Sequence, residues 1–426
     1  MTIFAQNSAL NTLFEQHRNR LAADEGLTPS EIYAAVQNGT MVLLGNPMHP
    51  NLTPILVGQP ARVKVNANIG TSPLCSGLSE ELVKLRMAMD AGADTIMDLS
   101  IAGDLEMLRQ QMLEHTSAPL GTVPLYAVAQ RYLDSGREPE TMDMEELFAE
   151  IERQAQQGVD FMTLHCGITL KGATWATDGR RTMGIVSRGG AILSRWMLTH
   201  KKENPLYEKF DRLLKIARTY NVTLSLGDGL RPGAGSDAGD AAQWEEVQTL
   251  GELAKMALEN GVQCMIEGPG HVPMHEVDNQ IQQIKKITYG SPLYVLGPLC
   301  IDSAPGYDHI ASAIGGAIAV RAGADFLCYV TPAEHLTLPN VEDVRLGVMA
   351  SRVAAQAGEV ALGRPRALDR EADMNRARAT LDWDVMQRTA LDSTIVYQRR
   401  EPHKTEEECA MCGKFCAVKM LQEKKQ

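Results

Sequence analysis

The chain has 426 residues, 44% hydrophobic and 22% charged, with a formal net charge of −12. That length and apolar content support a large buried core in one large domain or two ordinary ones. The acidity excludes a general electrostatic hold on nucleic acid, and the absence of any apolar run near the roughly 20 residues of a bilayer span predicts no membrane segment.

The opening MTIFAQNSALNTLFEQHRNR lacks the basic and apolar segments of a secretory signal, so a cytoplasmic protein is expected. Residues 1–61 carry a helix or two and a short β segment, read as a cap. From residue 62, short β-branched runs alternate with amphipathic stretches whose apolar residues recur at i, i+3, i+4 and i+7, as in helices covering a sheet. The strand candidates are 62–68, 94–100, 120–124, 160–166, 183–187, 222–228, 261–267, 293–297 and 325–330. Repeated strand–helix units over this span predict an α/β fold, a (β/α)8 barrel at 62–360, which typically takes ~250 residues. Nine candidates compete for eight places, and MGIVS (183–187) is the weakest, because no long helix separates it from the run before it. Residues 361–426 read as a charged helical arm ending in a cysteine motif.

In such a barrel the active site lies on the loops after the strands. The strand ends here deliver Asn66, Asn68, Met97, Asp98, Ser100, Tyr126, His165, the turn Ser187-Arg188-Gly189-Gly190, Asp228-Gly229-Leu230-Arg231, Glu267, His271, Tyr294, the run DSAPGYDH (302–309) and His335. The SRGG turn can hold a phosphate on backbone N–H groups and a helix dipole, or be an ordinary tight turn. Arg231 can clamp phosphate or carboxylate, or simply brace the rim against Asp228. His271 and His335 can bind a divalent metal or serve as structural histidines. Glu267 can be a base, an anchor or a salt-bridge partner.

Five of the eight cysteines are scattered singly, at Cys75, Cys166, Cys264, Cys300 and Cys328. The others, Cys409, Cys412 and Cys416, have C-x2-C-x3-C spacing that reaches three irons of a [4Fe–4S] cubane and leaves the fourth open to another ligand. The rival reading is a zinc site completed by a residue such as His403. Lys414 and Lys419 nearby would favour the thiolates. A zinc-dependent barrel hydrolase or aldolase is the corresponding alternative enzyme.

Over roughly residues 20–420 the chain resembles the phosphomethylpyrimidine synthase family and its paralogue 5-hydroxybenzimidazole synthase. NANIG (66–70), MDLS (97–100), GTVPLY (121–126), IVSRGG (185–190), SLGDGLRPG (225–233), EGPGHVPMH (267–275), APGYDHI (304–310), CYVTPAEHL (328–336) and CAMCGKFC carry the resemblance. It implies a radical S-adenosylmethionine lyase whose open iron chelates that cofactor, with 5-aminoimidazole ribotide as substrate. It further implies a homodimer, an electron donor such as flavodoxin or ferredoxin, and a cluster arm that closes over the barrel mouth. By resemblance Asn68, Met97, Tyr126, His165, Ser187, Arg188, Gly189, Asp228, Gly229, Leu230, Arg231, Glu267 and Tyr294 contact substrate. His271 and His335 hold zinc or another divalent metal.

Four departures bear on the product: Ile101 and Ala127 stand where the pyrimidine synthases carry threonine and glutamine, Ser303 lies in the altered run IDSAPGYDH, and Leu44-Gly45-Asn46-Pro47-Met48-His49 replaces a P-A-N-x-N-H run. Lost hydrogen-bonding groups beside substrate motifs favour 5-hydroxybenzimidazole, a cobamide precursor, over the thiamin pyrimidine.

Overall fold

The computed structural model describes residues 2–73 and 76–422, without the side chains of residues 414, 421 and 422. Cys75 and the Lys414 side chain therefore lie outside the described residues. Two compact units result, Met1–Ala355 and Gln356–Gln426.

The first unit opens with helices Ile3–Gln6, Ser8–Glu25 and Pro29–Gln37. The last starts on a capping box, in which Thr28 and Glu31 satisfy each other's backbone N–H groups and Pro29 presets the first turn. An antiparallel hairpin follows, β1 (Val42–Leu44) with β2 (Ile55–Val57). Then β3 (Lys64–Ile69), β4 (Thr95–Asp98), β5 (Leu120–Thr122), β6 (Phe161–Leu164), β7 (Thr223–Leu226), β8 (Cys264–Glu267), β9 (Leu293–Leu296) and β10 (Phe326–Cys328) close a barrel. All neighbours are parallel, and β10 pairs with both β9 and β3. The chain is thus a (β/α)8 barrel. MGIVS is a loop: Gly184 takes φ +62°, and Ser187 already caps the helix Arg188–His200.

Side chains fill the barrel. Phe161 on β6 and Phe326 on β10 meet at 6.3 Å between ring centres, and Tyr294 stacks on Phe326 at 4.3 Å. Gly121 on β5 makes room, since a Cβ there would sit 2.3 Å from the Phe161 ring.

The cap is tied to the base. Gln263 donates to the Leu43 carbonyl and accepts from its N–H at 2.9 and 2.7 Å. The Asp160 carboxylate takes the Asn46 N–H, and that of Asp325 takes the Gln59 N–H. Asp160, Gln263 and Asp325 each immediately precede a strand, so these bonds hold the end opposite the strand-end loops.

In the second unit, helices Pro365–Thr380, Trp383–Thr389 and Ser393–Arg400 precede the cysteines. The Trp383 indole donates to the Glu407 carbonyl, and Arg400, stacked on Trp383 at 4.2 Å, donates to that of Glu408. These two side chains fix the chain just before Cys409. Among the described residues no helix is long and apolar enough to cross a membrane.

Candidate active site

A cavity of about 500 Å³ opens at the carboxyl ends of the strands. Eight of the expected contacts line it: Asn68, Met97, Tyr126, His165, Asp228, Arg231, Glu267 and Tyr294. Parallel register does the gathering, pairing Asn68 with Met97 and Glu267 with Tyr294. Asn66 donates to the Tyr294 hydroxyl and to the side-chain oxygen Oδ1 of Asn68, each at 2.7 Å, and so orients both.

The remaining expected contacts, Ser187, Arg188, Gly189, Gly229 and Leu230, do not line the cavity. The Ser187 hydroxyl is 3.2 Å from His165 Nε2, and the Arg188 guanidinium stands 4.8 Å over the Tyr126 ring. Gly189 is pressed so closely on His165 that a Cβ would come within 2.1 Å of the imidazole. Gly229 packs on Ile168 and Gly190, and Leu230 is buried with its N–H on Glu246 at 2.7 Å. One amide of the SRGG turn, that of Gly190, is already engaged by Ser187 Oγ. The Arg188 side chain is exposed at the start of the helix Arg188–His200.

Burial dominates the electrostatics. It pushes His165 down to about 3, helped by Arg231, so that imidazole is neutral. It raises Glu267, although Thr163 and Ser225 both donate hydroxyls to its Oε1 at 2.6 and 2.7 Å. The Cys328 thiol is pushed up to about 12 by burial, and it accepts from Asn68 Nδ2 at 3.1 Å. Arg231 Nη1 lies 3.1 Å from Asp228 Oδ1, the rim-bracing pair that the sequence left open.

Thr163, Ser225, Cys328 and Glu246 escaped the sequence reading. Threonine, serine and cysteine in a β run look like ordinary strand residues. Glu246 sits on the helix Ala241–Glu259, well past the loop it supports. The alternation of Thr163 with His165 was the one available signal, because residues two apart share a strand face.

His271 and His335 come together, ring centres 5.3 Å apart. Nδ1 of His271 is 2.8 Å from Asp302 Oδ1, and Nδ1 of His335 is 3.4 Å from Asp308 Oδ1. Carboxylates on Nδ1 leave Nε2 as the ligand atom, an arrangement that fits a divalent metal. Among the described residues no three His, Cys, Asp or Glu side chains are spaced to hold one ion.

A cubane differs in taking one thiolate per iron. The Cys409 thiol is held below its usual range, first by the Met411 N–H and then by that of Cys412. N–H groups aimed at sulfur suit an iron–sulfur cluster. The expectation for Lys419 is corrected: its ammonium is bound to Glu407 and Glu408 at 2.6 and 2.8 Å.

None of Ile101, Ala127 and Ser303 lines the cavity. Ala127 is buried within the helix Pro124–Asp134, the Ile101 N–H is on Thr71, and Ser303 is exposed.

A family model described as the Radical SAM ThiC family matches residues 5–423. The phosphomethylpyrimidine synthase of Desulforamulus reducens is 50% identical over 408 residues, 94% of each chain. That of Caldanaerobacter subterraneus subsp. tengcongensis is 47% identical over 417 residues, 97% of this chain and 96% of the relative. A dihydropteroate synthase structure from Stenotrophomonas maltophilia aligns at 13% identity and TM-score 0.43, over 71% of this chain and 94% of that one, a likeness that carries no argument. The near-full-length relatives overturn the expectation of a benzimidazole product, and none of Ile101, Ala127, Ser303 and residues 44–49 lines the cavity. The chain belongs to the Radical SAM ThiC family and is a radical enzyme that uses S-adenosylmethionine and an iron–sulfur cluster.

Proposed function

We propose that this chain is a phosphomethylpyrimidine synthase, converting 5-aminoimidazole ribotide to the phosphorylated pyrimidine of thiamin. The observation that carries the reading is the convergence of eight family contact positions on one cavity at the barrel mouth. Relatives sharing 47–50% identity over nearly the whole chain bear that name.

Cys409, Cys412 and Cys416 would hold the cluster, with S-adenosylmethionine as its partner cofactor. When bound, the two supply one-electron cleavage that begins hydrogen abstraction. The protein's own residues do the rest. Arg188, beside Ser187 at the start of the helix Arg188–His200, supplies charge for the ribotide phosphate. Neutral His165, Asn68 and the Tyr294 hydroxyl offer hydrogen bonds of fixed direction, and Glu267, oriented by Thr163 and Ser225, offers an anion to amino groups. Met97, Leu99 and Val123 exclude water from the cavity wall. His271 and His335 would hold a divalent metal such as zinc. A homodimer and a flavodoxin- or ferredoxin-type donor complete the proposal.

Anaerobically reconstituted protein with reductant, S-adenosylmethionine and the ribotide should release 5′-deoxyadenosine and, by mass spectrometry, a phosphorylated pyrimidine. A fully loaded cluster giving neither would overturn the proposal.

A further inference from the structure

Three carboxyls crowd the ends of β7 and β8: Asp228 and Glu246 are buried, and Glu267 is half-buried. Arg231 is the guanidinium set among them, at 3.1 Å from Asp228 Oδ1. Arg181, the next cation, is committed to Asp240 through two 2.7 Å bonds and to the Leu230 carbonyl. Three ionised carboxyls around one guanidinium would leave a net charge of about −2 in a poorly hydrated pocket, which protonation relieves.

Hydrogen bonding decides where protons reside. Glu267 Oε1 already accepts two hydroxyls, which stabilises its ionised form. Glu246 Oε2 takes the Leu230 N–H, but its Oε1 is buried without a partner. Asp228 Oδ2 is likewise buried without a partner. Of these two, Asp228 lines the cavity.

We infer that Asp228 stands protonated before substrate binds and serves as the proton donor to the bound substrate, with Glu267 as the fixed anion and Glu246 behind. The donor role rests on the ribotide reading of the cavity; the protonation state does not. In the step the Oδ2–H bond breaks, its electron pair stays on the carboxylate, and the proton passes to a substrate nitrogen or oxygen gaining electron density. Arg231 stabilises the new carboxylate, and water restores the proton after product leaves. The charged and titratable groups facing Asp228 are Arg231, Glu267, Glu246, Tyr126 and neutral His165. Burial raises Asp228 well above the ordinary carboxylate range, against the pull of Arg231.

Infrared spectra of protein carrying 13C-labelled aspartate, minus those of Asp228→Asn, test the state without substrate or cluster. A protonated carboxyl C=O stretch at neutral pH that vanishes on alkaline titration is expected, and Arg231→Gln should move that titration upward. A carboxylate signal at neutral pH overturns the inference. For the role, Asp228→Asn, a neutral isostere, should bind ribotide within about threefold of wild type yet lose roughly 100-fold or more in kcat. Unchanged kcat overturns the donor role. A wild-type enzyme inert toward the ribotide refutes the functional reading while the infrared result stands.

Discussion

His271 and His335 stand 5.3 Å apart between ring centres, and each presents Nδ1 to a different carboxylate, Asp302 and Asp308. The proposed metal site uses the Nε2 atoms that these Nδ1 contacts leave free. His271→Ala or His335→Ala should abolish retention of a divalent metal while cluster iron is unchanged. Asp302→Asn should weaken retention by roughly 10- to 100-fold. Metal analysis of anaerobically purified protein checks both, and full metal content in the double histidine variant would refute the site.

His165 gives the fold a defined response to acid. Its imidazole titrates at about 3 in the folded chain, against 6.5 for an ordinary histidine. Between those values the unfolded chain binds the proton and the folded chain does not, so stability falls as pH drops through the window. His165→Gln removes this dependence. Its Tm should change less than that of wild type between about pH 7 and pH 4, and equal slopes would count against a neutral buried ring.

Thr163 and Ser225 act together on Glu267 Oε1. Thr163→Val preserves shape but takes one donor from a half-buried carboxylate, and should cost about 1–3 kcal/mol in denaturant unfolding. It should also move Glu267 further upward in pKa, because the ionised form loses a partner. A pH–rate profile displaced to higher pH is the expected signature.

Gly189→Ala tests the contact between the SRGG turn and His165. The added Cβ would press into the imidazole at 2.1 Å, so the ring or the turn must shift. Ribotide affinity should fall about tenfold or more, since displacement of positioning groups by about 1 Å is costly. Calorimetric titration measures it, with circular dichroism to confirm the fold.

Much of this was legible in sequence because barrel strands are short β-branched runs and their last residues point to one end. Asn68, His165 and Asp228, at or just past strand ends, line one cavity as that rule expects, whereas Tyr126 reaches it from the helix Pro124–Asp134 and Tyr294 from the first half of β9. MGIVS misled because five residues around a glycine at φ +62° carry a strand's composition without its conformation. Beyond the alternation of Thr163 with His165, nothing marked Thr163 and Ser225, since a hydroxyl in a strand declares its purpose only when the closed barrel brings Glu267 to it. The product expectation failed for a similar reason. Ala127 is near Tyr126 in sequence, yet a helix turns the two side chains in different directions, and adjacency along the chain was mistaken for adjacency in space.

Asp160, Gln263 and Asp325, each one residue ahead of its strand, give their side chains to the N-terminal segment, while Thr163, Glu267 and Cys328, at or next to the ends of the same strands, face the cavity. A strand of three or four residues therefore answers to two masters, one at each end. Changes at the first residue should be judged by whether the chain survives, and changes at the last by what the chain can make. A lineage can thus revise its chemistry at one rim of the barrel without reopening the question of whether it folds.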